Sequence, residues 1–440
     1  MRVLFIAPSA YLIGGVQDWL YMLVMGLRER GHQITVGVPD GEFHRLDPYN
    51  KNYTGLNAKG FANTTGTDAG RRRALAKFLS DNPADLVVGV NIGTLYEAFA
   101  EICNKLPPTR LAIAIHAIET DYFSDIQAYA TLLDGVITPS RLTEAMLKAM
   151  QAVPEHRIFY APCGVEQGPI RIPTNATMLR IAWAGRIEDS QKRASDLRSI
   201  LVELDKAHCD YRLSIAGVGP RLDTLKSQLA PWVQADKVIF EGFIEKHSMA
   251  EFLARNDIFL ITSEWETGPI VAWEAMAAGL VIVSSRYVGA ILEKALIHNS
   301  TALLFPIGNS EEACRQIQRL KSRTLREKLS TQGRQMSLER YSRQASISAW
   351  ESAFETILQL EQRPRQPIDD RRSTSATGRL ERLFGQRLAE RLRMILPLKT
   401  YIPNPGSEWP HAIHHHSDQS TILKEARAIE ALSDPANLSN

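Results

Sequence analysis

The run Val3-Leu4-Phe5-Ile6-Ala7 has no polar position on either face of an extended chain, so a strand made from it must be covered on both sides. Strands of that kind belong to parallel sheets with helices packed on both faces. After Gly14-Gly15, apolar residues recur at Leu20, Leu23, Val24 and Leu27 with the period of a helix; Gly31 stops it, and 34–38 reads as a second strand. Further strands are expected at 86–90, 111–115, 135–138 and 157–160, with helices around 75–79, 96–102 and 142–150. Alternation of this kind predicts a doubly wound α/β domain.

The pattern then starts again. Pro173, Thr174 and Asn175 interrupt it without a period of their own, and strands are expected at 181–184, 213–216, 238–240, 258–261 and 281–284 with helical stretches between them. The architecture repeats while the sequence shows no fixed-period similarity, which sets solenoids aside. The expected organisation is therefore two Rossmann-like domains facing across a cleft, over 1–165 and 176–340. A helix over 341–362, carrying Trp350, Phe354, Ile357 and Leu358, is expected to cross back to the first domain. Residues 363–440 are read as a basic amphipathic helix and a poorly structured tail with a last helix around 421–432, because Pro364 and Pro367 break the preceding helix.

Charge and cysteine content narrow the function. With 51 basic against 49 acidic residues, the net charge of +2 gives no overall field for wrapping nucleic acid, although a local basic patch remains compatible with it. Cys103, Cys163, Cys209 and Cys314 stand far apart, without metal-finger or C-x-x-C spacing, and read as reduced thiols of a cytoplasmic protein. Pro8, Ser9 and the glycine pair argue against a signal peptide, and no run approaches the ~20 apolar residues of a spanning helix.

The basic segment over 379–396 carries Leu380, Phe384, Leu388, Leu392 and Ile395 at helical spacing among Arg379, Arg382, Arg387, Arg391 and Arg393. Three readings stay open for it: an interfacial helix on anionic lipid, a helix docked on the body, or an oligomer contact. His411, His414, His415 and His416 have imidazole spacing that suits a shared metal ion, but no carboxylate pattern supports them, and a solvated tail is preferred. No metal ligands are expected.

The chemistry concentrates in the second half. Glu266-Thr-Gly-Pro-Ile-Val-Ala-Trp-Glu274 follows an expected strand and opens a helix near Pro269, so backbone N–H groups there face an anion while the two carboxylates can accept hydrogen bonds from sugar hydroxyls. A capped helix with Glu274 on its wet face is the plain alternative. Gly185-Arg186 ends the first strand of this half, and Lys192-Arg193 is expected to open the next helix, so these cations can converge on a diphosphate. Gly217-Val218-Gly219-Pro220 is a tight turn after the following strand, and alone it is weak evidence.

Taken together, the opening strand with its glycine pair, Gly31-His32, the G-R…K segment, the G-x-G-P turn and the E-x7-E stretch ending in E-A-M-A-A-G resemble the retaining GT-B glycosyltransferases of family 4, the glycosyl transferases group 1. The resemblance covers roughly residues 1–360. It implies transfer of a sugar from a nucleotide-sugar donor, UDP first and GDP next, to a saccharide or lipid-linked acceptor, with no cofactor and no metal, in polysaccharide biosynthesis. By the same resemblance Arg186 and Lys192 neutralise the donor diphosphate, Glu266 contacts the transferred sugar and Glu274 holds the ribose. Thr267, Gly268, Pro269 and Ile270 line the donor, Gly217 belongs to its loop, Gly15 lies between donor phosphate and acceptor, and His116 reaches the transferred sugar. Ser140 matches a family serine of less defined purpose. E-T-G-P replaces the family's E-G-F-G or E-G-F-P, which removes an aromatic side chain from the donor site and leaves the sugar open. A nucleotide-sugar epimerase and a catalytically silent nucleotide-sugar-binding scaffold are the alternatives. An anionic membrane surface, reached through 379–396 on the inner face, is the further partner considered.

Overall fold

The computed structural model describes residues 1–7, 14–171, 178–365, 379–396, 398–415 and 420–433. The interruption at 173–175, expected to separate the domains, lies outside them. By contacts the chain forms two compact units: residues 1–138, 144–161 and 349–423, and residues 139–143, 162–348 and 424–440.

The first unit is built on β1 (Arg2–Ile6), β2 (Gln33–Pro39), β3 (Lys59–Phe61), β4 (Leu86–Val90), β5 (Arg110–Ala114), β6 (Gly135–Thr138) and β7 (Ile158–Tyr160). All pair in parallel, in the order β3-β2-β1-β4-β5-β6-β7. Helices α1 (Gly15–Glu29), α2 (Leu46–Asn52), α3 (Asp68–Asp81), α4 (Thr94–Ile102), α5 (Thr120–Ala128) and α6 (Arg141–Met150) connect them. The one-residue offsets from the expected β1 and β5 are a matter of where the ladder is counted as ending, because Ala7 and Ile115 still donate to Gly37 O and Ile137 O at 2.8 and 3.0 Å.

The second unit repeats the plan with β8 (Leu179–Ala184), β9 (Tyr211–Ala216), β10 (Val238–Gly242), β11 (Ile258–Ile261), β12 (Val281–Ser285) and β13 (Ala302–Phe305), parallel in the order β10-β9-β8-β11-β12-β13. Its helices are α7 (Asp196–Lys206), α8 (Leu222–Gln234), α9 (Lys246–Ala254), α10 (Ile270–Ala277), α11 (Ala290–Glu293), α12 (Ser310–Arg319) and α13 (Arg323–Arg340). The period of two explains the unbroken apolar runs. Ile181, Trp183, Ile258, Leu260, Val281 and Val283 pack on one face of this sheet, while Ala182, Phe259, Ile261 and Ile282 pack on the other. Helix α14 (Arg343–Gln359) starts in the second unit and ends in the first.

The tail departs from expectation. Residues 398–415 were expected to be poorly structured, yet they are strapped to the first unit with Trp409 and Glu408 fully buried. Trp409 meets Phe61 edge-on at 4.8 Å, and the Glu408 carboxylate accepts from the amides of Glu42 and Phe43, both at 2.9 Å. Asp125 accepts from the amides of Ile413 and His414 at 2.8 and 3.0 Å and from His414 Nδ1 at 2.6 Å. Carboxylates thus pin the strap in both directions, Glu408 accepting from the body's amides and Asp125 from the strap's own, so it needs no hydrophobic period. His415 faces Asp121 at 3.7 Å, and His416 lies outside the described residues. Two more helices complete the tail after α15 (Arg379–Ile395): α16 (Pro405–Glu408) and α17 (Ser420–Leu432).

Candidate nucleotide-sugar site

In a doubly wound sheet the strand order reverses at one point, and the loops leaving the two strands there splay apart to leave a crevice. In the second unit that point lies between β8 and β11. The loop after β8 carries Arg186 and Lys192, and the loop after β11 carries Glu266 and leads to α10. The spacing of these residues in sequence is thus converted by topology into proximity.

Lys192 Nζ donates to Glu266 Oε1 at 2.7 Å. Glu266 is only 5% exposed, and it also accepts from Ser263 Oγ at 2.5 Å and Gln191 Nε2 at 3.3 Å. The carboxylate is held by three donors, one of them cationic, which fixes its direction before any ligand arrives. Lys192 keeps further N–H donors and stays partly exposed. Its backbone is pinned from both sides: its amide donates to Glu188 Oε1 at 2.8 Å, and its carbonyl accepts from Thr262 Oγ1 at 2.7 Å. Burial alone raises the Glu188 carboxyl, but the Ser190 hydroxyl and the amides of Lys192, Gln191 and Ser190 outweigh it and hold the group below the usual carboxylate range. Glu188 therefore stays ionised and keeps the loop wound around it.

Arg186 is exposed and makes no hydrogen bond or ion pair among the described residues. Arg193 does not join it. Its guanidinium is taken by Asp196 at 2.8 Å and Glu264 at 3.1 Å, and α7 starts only at Asp196, so the expectation that Arg193 adds to the diphosphate charge is corrected. Arg193 itself has φ 49° and turns the chain away from the loop edge.

The glycine turn locks onto this loop. Gly217 has φ 132°, and a Cβ there would lie 1.9 Å from the Gly185 carbonyl oxygen. Gly185 N donates to Ala216 O at 3.1 Å and Ile187 N to Val218 O at 2.9 Å, so the loops after β8 and β9 are zipped by their backbones. Gly268, with φ 86°, turns the chain into α10, and Pro269 stands at the N-cap. Ala272 N makes the first bond back to Pro269 O at 2.9 Å. The amides of Ile270 and Val271 thus precede the first intrahelical bond at a positive helix end. Glu274 lies one turn in and is half-exposed. Trp273, stacked on Tyr341 at 4.2 Å, anchors the opposite face of the helix.

In the first unit, Gly15 opens α1. His116 is buried between Trp19 and Trp350, with ring centroids 4.3 and 6.4 Å away, and burial pushes its imidazole down to about 3. A neutral ring of this kind offers hydrogen bonds and no charge. Ser140 Oγ accepts from Thr143 N at 3.2 Å, a helix-capping contact that gives this serine a structural purpose.

Sequence reasoning missed Glu188, Gln191 and Ser263, the partners that hold Lys192 and Glu266. A polar loop leaves no periodic trace of them; the turn-forming Glu188-Asp-Ser run was the only local signal. It also missed the return of α17, whose Glu430 accepts from the amides of Gly289 and Ile291, both at 2.9 Å, and whose Arg427 pairs with Glu264.

Comparison with known proteins agrees with this geometry. Residues 13–167 match the family described as Glycosyltransferase Family 4, and residues 174–336 match Glycosyl transferases group 1. The chain belongs to the GT-B glycosyltransferases of group 1. It is 29% identical over 168 residues to the N-acetyl-alpha-D-glucosaminyl L-malate synthase of Bacillus anthracis, covering 38% of this chain and 43% of that one. It is 28% identical over 168 residues to the alpha-monoglucosyldiacylglycerol synthase of Streptococcus pneumoniae, covering 34% and 37%. These matches span less than half the length of those relatives. Among solved structures, Anabaena HepE in complex with UDP and glucose superposes with a TM-score of 0.65 at 16% identity, covering 81% of this chain and 100% of that one, a likeness of fold.

Proposed function

We propose that this protein transfers a sugar, with retention of anomeric configuration and without a metal ion, from a nucleoside-diphosphate sugar to a saccharide or lipid-linked saccharide acceptor. UDP is the first expectation for the donor and GDP the second. The observation that carries the reading is the junction of β8 and β11, where an uncommitted Arg186, a partly exposed Lys192 and the N-terminal end of α10 lie on loops leaving one sheet edge. Such a group of donors suits a diphosphate, and its charge rises as the leaving group departs. Cations then serve where other transferases use a metal.

The proposed division of labour rests on these contacts for Lys192 and Glu266 and on the family resemblance for the other residues. Lys192, already bonded to Glu266, links the carboxylate aimed at the sugar with the phosphate, so the two ends of the scissile bond are registered by one ion pair. Glu274 accepts from the ribose hydroxyls, and Thr267, Gly268, Pro269 and Ile270 form the wall under the diphosphate. Gly217 keeps the loop of Arg186 in place. Gly15 and His116, in the other unit, are assigned to the phosphate and sugar by family resemblance, and His116 acts as a neutral hydrogen-bonding group. UDP in the HepE complexes supports the choice of base.

The test is release of nucleoside diphosphate from a panel of UDP-, GDP- and ADP-sugars, with saccharide acceptors, in EDTA and in magnesium. One UDP-sugar should be consumed equally well in both. Glu274→Ala should raise the donor KM about 10- to 100-fold through loss of ribose hydrogen bonds to a charged group. Strict dependence on magnesium would overturn the metal-free reading, and a free epimerised nucleotide sugar formed without acceptor would indicate the epimerase.

A further inference from the structure

Helix α15 is held to the first unit by one face. In its second half Ala389, Glu390 and Arg393 are buried, and Glu390 accepts from Thr65 Oγ1 at 2.7 Å, Thr67 Oγ1 at 2.9 Å and Arg73 Nη2 at 2.8 Å. Arg393 is turned inward onto Glu381. At about 100° per residue these buried positions face one way, and Leu388, Arg391 and Ile395 face the other. The apolar period visible in the sequence is therefore not the docking face: Leu380 and Leu392 are half-buried, while Phe384, Leu388 and Ile395, with Leu383, are exposed, Leu383 by 74% and Ile395 by 77%.

The exposure continues past the helix through Leu396, Leu398 and Tyr401, the last 83% exposed. Eight of the fourteen exposed large apolar side chains among the described residues fall between Leu383 and Tyr401. Scattered exposed apolar residues are ordinary, but a contiguous patch marks a surface that meets an apolar phase or a partner. The charges beside it decide which. Both acidic residues of the helix, Glu381 and Glu390, are bonded to arginines, whereas Arg379, Arg382 and Arg391 are exposed with no ion pair among the described residues. The outer face is thus apolar and cationic, with Phe384 as an apolar ring and Tyr401 as an amphipathic one suited to a headgroup boundary. A second copy would bring the same uncompensated arginines against themselves, since a two-fold contact pairs a patch with itself. An anionic surface has no such conflict. Gly385, at φ 71° with open space around it, bends the helix so that its first and second halves are separate pieces.

We infer that the outer face of α15 with the segment to Tyr401 is a docking surface for anionic lipid headgroups and the acyl boundary beneath them. This goes beyond sugar transfer and does not depend on it. The experiment is co-sedimentation of the full chain with vesicles of phosphatidylcholine alone and of phosphatidylcholine with an equal part of phosphatidylglycerol. The protein should bind the anionic vesicles and not the neutral ones, less at high salt. Leu388→Glu with Ile395→Glu, and separately Arg382→Glu with Arg391→Glu, should each lower the binding constant about tenfold or more. All four side chains are exposed, and an unchanged melting temperature verifies that the fold is intact. Equal binding by parent and variants would overturn the inference. So would a concentration-dependent dimer abolished by the same substitutions, which would make the face a contact between copies.

Discussion

Lys192→Ala is expected to lower sugar transfer about 100- to 1000-fold, the scale of removing one group that stabilises developing charge. On the proposed function the loss falls on kcat more than on donor KM, because Arg186 and the α10 amides would still hold the diphosphate while the leaving group's new charge loses its nearest cation. The same change leaves Glu266 with only the Ser263 and Gln191 donors described above, costing stability about 1–3 kcal/mol. A protein with two cores of this size remains folded at that cost. Lys192→Arg is the informative companion: the charge returns, but a planar fork cannot reproduce the Nζ contact with Glu266, so rescue should be partial. Steady-state rates with the donor varied check this, and a parent-like kcat in Lys192→Ala would remove Lys192 from the mechanism.

The second large effect is on folding. Gly217→Ala places a methyl carbon 1.9 Å from the Gly185 carbonyl oxygen at a residue with φ 132°. The obstacle is backbone, which cannot swing aside like a long side chain. Strain at φ and overlap together should cost about 3–5 kcal/mol. The melting transition of the second unit should fall by roughly 10 °C. Gly242 supplies the control: its φ is 72° but nothing lies within 4 Å of its added Cβ, so Gly242→Ala should cost only about 1–2 kcal/mol. Equal losses for the two variants, read by calorimetry, would mean that the zipped loops do not set the stability of the site.

Most of the scaffold was legible because both faces of its strands are covered. Val3 to Ile6, Leu86 to Val90 and Ile258 to Ile261 have to be interior parallel strands, and helices have to run between them. Two strands escaped. Lys59–Phe61 has three residues with a glycine at its centre, and Ala302–Phe305 follows a turn without flanking periodicity. Of the site, the cation and carboxylate positions were readable from a family spacing, while their fate was not. Nothing in Lys192-Arg193 says that one side chain goes to Glu266 and the other to Asp196 and Glu264; backbone turns around Glu188 decide it.

The tail misled for a related reason. A segment rich in Pro, His and Gly has no hydrophobic period, yet 398–415 is anchored through the buried Trp409 and through carboxylates that accept backbone amides. Helix α15 misled in the opposite way, since its clear period lies on the face turned outward. Among the described residues no helix is long and apolar enough to cross a membrane.

The central claim is that the β8–β11 junction binds a nucleoside diphosphate by cations and backbone amides alone. Calorimetric titration of UDP into the full chain in EDTA tests it most directly. Saturable binding at one site is expected, unchanged by magnesium and weakened about tenfold or more in Arg186→Ala. Absence of binding without a divalent ion, or an Arg186→Ala variant that binds UDP like the parent, would contradict it.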